Sequence, residues 1–278
     1  MIDKRELLDE AAALSLLPHV VEKDYALGWA LAGIYAHPDL KDSWIFKGGT
    51  CLKKCFFETY RFSEDLDFTL TDPGQLDAGF LKRVFGEVSE WIYEATGLEF
   101  PAALQAFDLY KNPRGNLSCQ GKLSYAGPLA PPRSGGLPRV KLDLTADEHV
   151  ALDPVRATIY HPYSDAPAAG IQVLAYAYEE AFAEKVRALA ERARPRDLYD
   201  VVNLFRNEDA RPAANVLLDV LRSAEVPYER RPLQPPDVPF LVVAQVEGLV
   251  ECHVQLIEAS SLPQKAEGFV HVFLPVRG

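Results

Sequence analysis

Two short stretches hold residue types suited to chemistry at phosphorus. The first is Lys47-Gly48-Gly49-Thr50, and the second, Asp65-Leu66-Asp67, begins sixteen residues after Gly49. Two successive glycines let an anion approach backbone N–H groups, and a helix starting there adds its positive N-terminal end. Side chains alternate along an extended segment, so Asp65 and Asp67 share a face and stand close enough to hold divalent cations. Hard oxygen ligands of this kind suit Mg²⁺ or Mn²⁺, and two such ions stabilise both the entering and the leaving oxygen of a displacement at phosphorus. A third carboxylate follows. Residues 139–145, Arg139-Val140-Lys141-Leu142-Asp143-Leu144-Thr145, alternate strictly, with Lys141 and Asp143 on one face and Val140, Leu142 and Leu144 on the other. Asp143 is therefore the natural companion of Asp65 and Asp67, placed to complete the metal site and to take a proton from an attacking hydroxyl.

These residues need elements to carry them. Trp44-Ile45-Phe46 predicts a buried strand entering the glycine turn, residues 50–57 a short helix bearing Lys53 and Lys54, and residues 64–70 the strand of the aspartate pair. Thr71-Asp72-Pro73-Gly74 closes that strand with turn chemistry. Between residues 75 and 96, Phe80, Leu81, Val84, Phe85, Val88, Trp91 and Ile92 recur with helical period, and Gly97 is the stop. Strands are expected near residues 105–110, 117–125 and 138–145, with a mobile stretch over the Pro/Gly-rich residues 127–136. Upstream, residues 3–17 and the segment after Pro18 have helical period, and Asp24 falls on the apolar stripe of the second. A carboxylate there needs a partner, so Glu22-Lys23-Asp24-Tyr25 is either a polar anchor or part of the site.

The whole is an α+β chain: a mixed β-sheet with flanking helices over residues 1–169, then a mostly helical domain over 170–278. Helices are expected over residues 178–189, 196–205 and 212–223, followed by a Pro-rich linker at 231–239 and two helices in the valine-rich tail.

With 278 residues, 48% hydrophobic and 25% charged, the composition is that of an ordinary globular protein. No apolar run is long enough to span a bilayer and the charged start is unlike a secretory signal, so a cytoplasmic protein without membrane attachment is expected. The four cysteines and six histidines show no zinc-ligand spacing, and the Cys51/Cys55 pair reads as buried small hydrophobes. A net charge of −11 argues against general affinity for nucleic acid. Against that background, Lys111, Arg114, Lys122, Arg133, Arg139 and Lys141 lie in a stretch without one acidic residue, either as a solvated face or as an RNA track. No apolar interface stripe is visible, and a monomer is assumed.

The run KGGTCLKK, then RFSEDLDF, the strand VKLDL, EKVRAL and RDLYDVVNLF, together with the early EKDYALGWAL, resembles the AbiEii/AbiGii toxin family of nucleotidyltransferases, within the DNA polymerase β-like superfamily. The matching segments extend from Glu22 to about Phe205. The resemblance implies that Gly48, Gly49 and Thr50 form the phosphate turn, with Lys47, Lys54 and Ser63 beside the nucleotide, and that Asp65 and Asp67 hold Mg²⁺. It implies that Lys185 contacts the triphosphate and that Asp200, fifteen residues on, is the late acidic member of the cleft. The residues themselves agree for Lys185, whose helical neighbours Ala181, Phe182, Ala188 and Leu189 offer no counter-charge. Asp200 has an alternative partner in Arg196, Asp197 reads as a cap or brace, and Ser63 reads as a turn hydroxyl or a modification site. The implied activity is transfer of NMP from an NTP to an acceptor hydroxyl, RNA and plausibly a tRNA 3′ end, by the toxin of a bacterial toxin–antitoxin or phage-defence pair with a cognate antitoxin. Nucleotidylation of a protein or small molecule is the alternative, and a nucleotide-binding regulator without turnover is a third.

Overall fold

The computed structural model describes residues 1–57, 63–129, 136–192, 195–206, 216, 219–220, 241–247 and 251–257. Contacts divide the chain into two units, Met1–Glu148 with Asp153–Ala177, and His149–Leu152 with Tyr178–Gly278. The first unit is built on a seven-stranded mixed sheet. Its strands are β1 (Trp44–Lys47), β2 (Asp65–Leu70), β3 (Ala106–Lys111), β4 (Leu117–Ser124), β5 (Arg139–Thr145), β6 (Val155–Thr158) and β7 (Gln172–Ala175), in the order β3-β4-β5-β2-β1-β7-β6. The pairs β2/β5 and β1/β7 are parallel and the other neighbours antiparallel. Because β7 pairs with β1, the sheet continues past Gly170, where the sequence suggested a boundary.

Alternation along β2 and β5 sorts the residues as expected. Leu66, Phe68, Val140, Leu142 and Leu144 are buried, whereas Asp65, Asp67, Lys141 and Asp143 are on the opposite, accessible face. The apolar face packs on α2 (Pro18–Ala36) and α4 (Ala78–Thr96), with α1 (Lys4–Ala13) against α2. Trp44 touches Phe68 and Phe85 at ring distances of 5.2 and 5.8 Å, and Phe85 continues the stack to Phe107 at 5.2 Å. The helix expected from residue 75 starts three residues later, because Asp77 accepts a hydrogen bond from the Phe80 N–H (2.8 Å) and so sets its N-terminus.

The anchor reading of Glu22-Lys23-Asp24-Tyr25 matches what the structure shows, since each residue ties α2 to a different segment. Glu22 accepts from the Leu129 N–H (2.6 Å), at the edge of the Pro/Gly-rich stretch whose residues 130–135 lie outside the described ones. Lys23 pairs with Glu64 (2.6 Å), next to the aspartate strand, and the Tyr25 hydroxyl donates to Asp165 (2.6 Å). Asp24 receives Lys54 at 3.0 Å and Lys53 at 3.7 Å. Both lysines reach it because the chain after the glycine turn runs through one α-turn, α3 (Gly48–Cys51), into a π-turn (Leu52–Phe56) closed by the Phe57 N–H on the Leu52 carbonyl (2.9 Å).

Beside Asp24, His161 is enclosed by Tyr25, Trp29 and Tyr163, with ring distances of 4.7–5.8 Å. It packs so closely on α2 that a Cβ at Gly28 would overlap its imidazole. Burial, reinforced by the Lys54 charge and opposed by Asp24, lowers its pKa from 6.5 to about 3. Between those values the unfolded chain takes up a proton that the folded one refuses. This group's stabilisation is therefore complete above pH 6.5 and falls by about 1.4 kcal/mol per pH unit as the medium is acidified towards pH 3. His161→Phe is expected to flatten that acid limb in urea titrations at several pH values, and an unchanged slope would exclude His161 as its source.

The second unit contains α5 (Tyr178–Arg192) and α6 (Pro195–Arg206), as the sequence predicts. The helix expected over 212–223 falls largely outside the described residues. In the tail the expectation of two helices is corrected: Leu241–Glu247 and Glu251–Ile257 are strands β8 and β9, paired antiparallel from Leu241↔Ile257 to Glu247↔Glu251. Clustered valines, which favour strands, outweigh the ambiguous periodicity there. Among the described residues no helix is long and apolar enough to cross a membrane.

Candidate active site

Gly48 stands where β1 gives way to the turn, with φ +80°, a conformation that L side chains rarely adopt. Its bare Cα accommodates the Asp67 carboxylate, and a Cβ would overlap Asp67 Oδ2. Thr50, fully buried, donates its hydroxyl to the Asp65 backbone carbonyl (2.6 Å). The turn and the aspartate strand are thus locked together at two points. Thr50 contributes here by fixing the strand; its hydroxyl is turned to the protein. Gly48→Ala is expected to cost about 1–2 kcal/mol in backbone strain alone, to displace Asp67, and to lower activity by more than stability; full activity in the alanine variant would show that the close approach is dispensable.

Sheet register brings the carboxylates together. Asp67 is the direct neighbour of Asp143 across the parallel β2/β5 pair, and of Lys47 across the antiparallel β1/β2 pair. Asp65 lies two residues along on the same face, opposite Lys141, whose ammonium is 3.8 Å from it. The row continues through Gln120 on β4 to Asp108 on β3. Burial raises the pKa of Asp143; Lys47 opposes this, while Glu148 and Asp65 add to it. Excess negative charge on one half-buried face, supplied by hard oxygen donors, fits a divalent cation chemically. As the side chains stand, no group of three His, Cys, Asp or Glu residues among the described ones closes to metal-ligand geometry.

Other expected phosphate contacts are engaged elsewhere. Lys54 is a correction: its ammonium is fully buried against Asp24 and also reaches the Tyr160 carbonyl (3.4 Å), so it braces the helix instead of facing the turn's outer side. Lys47 is buried at the foot of the turn, paired with Glu148 and 3.5 Å from the Thr145 hydroxyl. Gly49 is buried in α3, Ser63 is half-buried just before β2, and Arg61 lies outside the described residues. Sequence reasoning missed Glu148, which pairs with the Lys47 ammonium, and Thr69 and Tyr176, whose hydroxyls lie 3.0 and 3.4 Å from that glutamate. Glu148 sits in an irregular segment after β5 and carried no periodic signal.

Within the second unit Lys185 and Asp200 do meet, at 3.4 Å, both buried, with α5 and α6 packed on each other. The lysine without a counter-charge on its own helix finds one on the next. Asp197 is fully buried beside them on α6, in keeping with a bracing role.

The basic stretch is divided. Lys122 pairs with Asp108 (2.9 Å), Arg114 approaches Asp147 (3.5 Å) and Lys141 approaches Asp65. Lys111 and Arg139 are exposed, but they pair in register with Leu117 and Ser124, at opposite ends of β4 and so roughly 20 Å apart. Arg133 lies outside the described residues.

A comparison with curated proteins gives no match. A family model described as "Nucleotidyl transferase AbiEii toxin, Type IV TA system" matches residues 29–246, which includes the glycine turn, all three carboxylate positions and the Lys185/Asp200 pair.

Proposed function

The chain belongs to the AbiEii family of nucleotidyl transferase toxins of type IV toxin–antitoxin systems, and from that premise we propose that it transfers NMP from an NTP to an acceptor hydroxyl, with release of pyrophosphate, at the face formed by Asp65, Asp67 and Asp143. The observation that carries this reading is the register of Asp67 beside Asp143 with Gly48 pressed on Asp67, because it joins an anion-binding turn to a carboxylate face. Asp65, Asp67 and Asp143 would hold Mg²⁺ or Mn²⁺, which when bound neutralises phosphate charge and stabilises the entering and leaving oxygens. Having no side chains, Gly48 and Gly49 would let phosphate oxygens approach their backbone N–H groups. Asp143, whose proton affinity is raised by burial and by neighbouring acids, is suited to take the proton of the attacking hydroxyl. Within the second unit, Lys185 paired with Asp200 offers a compact positive charge of the kind suited to a terminal phosphate.

The family supports an antitoxin partner. RNA, at a tRNA 3′ end, is the proposed acceptor. The neutralised basic stretch and the net charge of −11 favour a second reading, in which the acceptor is a protein or small-molecule hydroxyl. The experiment is to incubate the purified chain with each α-labelled NTP, Mg²⁺, and total RNA, protein or hydroxyl metabolites in turn. Label moving to RNA supports the first acceptor and label moving elsewhere the second. Absence of label from every acceptor, with all four NTPs, would sink the transferase reading.

A further inference from the structure

Along the accessible face of the sheet the parts of the proposed site stand in spatial order. The glycine turn closes β1, Asp65 and Asp67 are on β2 beside it, and Asp143 is on β5 beyond them. A triphosphate seated at the turn leaves the far side of Asp143, over β4 and β3, to the molecule whose hydroxyl attacks. That ground carries an aromatic ring, Tyr110. Register sets Asp108 opposite Gln120 and Gln120 opposite Asp143, and Tyr110 is two residues along β3 from Asp108, on the same face. Phe107, of the other parity, packs on Phe85 in the core. Tyr110 keeps 36% of its surface exposed, and Gln120 is exposed as well. Burial raises the pKa of the Tyr110 hydroxyl, the Asp143 charge adds to this and the Gln120 carboxamide opposes it, so the three groups act on one another. Two strand spacings and two residues of rise put Tyr110 and Asp143 roughly 12 Å apart between Cα atoms, a span that one nucleoside bridges. The turn joining β3 to β4 is fastened to the segment after β5, where Asn112 and Asn116 each donate to Asp147 at 3.0 Å.

Charge decides what the ring can receive. On this face β3 and β4 place one acid and one base among the described residues, Asp108 and Lys122, and these pair with each other at 2.9 Å. They leave no unpaired cation for a phosphate, and the carboxylates of β2 and β5 repel one. A neutral flat ring with a hydrogen-bonding edge suits a phenol beside a carboxamide. We propose that Tyr110 and Gln120 form the acceptor subsite, where Tyr110 stacks on the terminal base of an RNA and Gln120 hydrogen-bonds its edge, which brings the sugar hydroxyl to Asp143. The RNA is thereby held by its end base instead of by its phosphates, in keeping with a chain of net charge −11. The inference rests on the reading of the Asp143 face as the site of transfer, and it adds the chemistry that recognises the acceptor.

The test is binding of a short single-stranded RNA ending in 2-aminopurine riboside to the full chain, without NTP, read from the quenching of that base's fluorescence. Tyr110→Ala is expected to weaken binding about tenfold and to relieve the quenching, whereas Tyr110→Phe, which keeps the ring, binds within about twofold of the native chain. Gln120→Leu is expected to weaken it about fivefold. Native affinity in Tyr110→Ala overturns the proposal, and so does a loss in Tyr110→Phe as large as in Tyr110→Ala, which would assign the effect to the hydroxyl or the fold. A raised KM for NTP in Tyr110→Ala with unchanged RNA affinity overturns it by seating the nucleotide's own base on the ring. No binding of the RNA by the native chain also overturns it and turns the acceptor to the protein or small-molecule class. RNA bound through Tyr110 with no label passing from any NTP would support the subsite and sink only the transferase reading.

Discussion

Asp67→Asn is expected to lower nucleotidyl transfer from an α-labelled NTP by on the order of a thousandfold while the melting temperature stays within a few degrees of the native chain's. Asparagine has the shape of aspartate, so it can occupy the space at the bare Cα of Gly48, but it lacks the charge that a divalent cation requires. Asp65→Asn is expected to behave alike, with an additional Lys141 ammonium left unpaired at the surface, a change of little energetic weight. Alanine at position 67 is a poorer probe because the emptied space beside the turn would let the backbone shift. Single-turnover kinetics across a Mg²⁺ titration is the measurement. Activity within about tenfold of native in both asparagine variants would remove these residues from the metal site.

The largest loss of stability is expected from Asp24→Ala, about 3–5 kcal/mol by urea unfolding. Burial acts to raise the pKa of Asp24, yet the Lys54 and Lys53 charges and the Lys54 hydrogen bond together hold it below its usual value. Removing this carboxylate leaves two ammonium groups, both almost wholly buried, without their shared counter-charge. Replacing all three together, Asp24→Leu with Lys53→Met and Lys54→Met, should recover most of the loss, because apolar groups of similar volume pack there without a desolvation penalty. A single variant that unfolds at the native urea midpoint would show that the pair has other compensation.

What the sequence made legible is what depends on short-range periodicity. The alternation in β2 and β5 placed Asp65, Asp67 and Asp143 on one face correctly, and the glycine turn was located from two residues. Contacts between distant segments were not legible. Lys54 follows the turn closely enough to suggest a phosphate contact, and only the packing of α2 reveals that it points at Asp24, thirty residues earlier. Glu148 shows the same limit, since nothing in an irregular segment announces that it lies beneath β1. The pairing of the basic stretch was not legible for a related reason: the partners of Lys122, Arg114 and Lys141, which are Asp108, Asp147 and Asp65, all lie outside the stretch itself. In the tail, local preference and periodicity pointed in different directions, and the strands won.

The π-turn over Leu52–Phe56 makes the count of residues, and not only their identity, a condition of this architecture. Deleting Leu52 would rewind the turn into an ordinary α-turn and swing Lys53 and Lys54 by about 100°. Two lysines could then no longer converge on one aspartate, although the glycines upstream would be untouched. A frame-keeping loss of Leu52 alone should thus be as damaging as the exchange of a charged group.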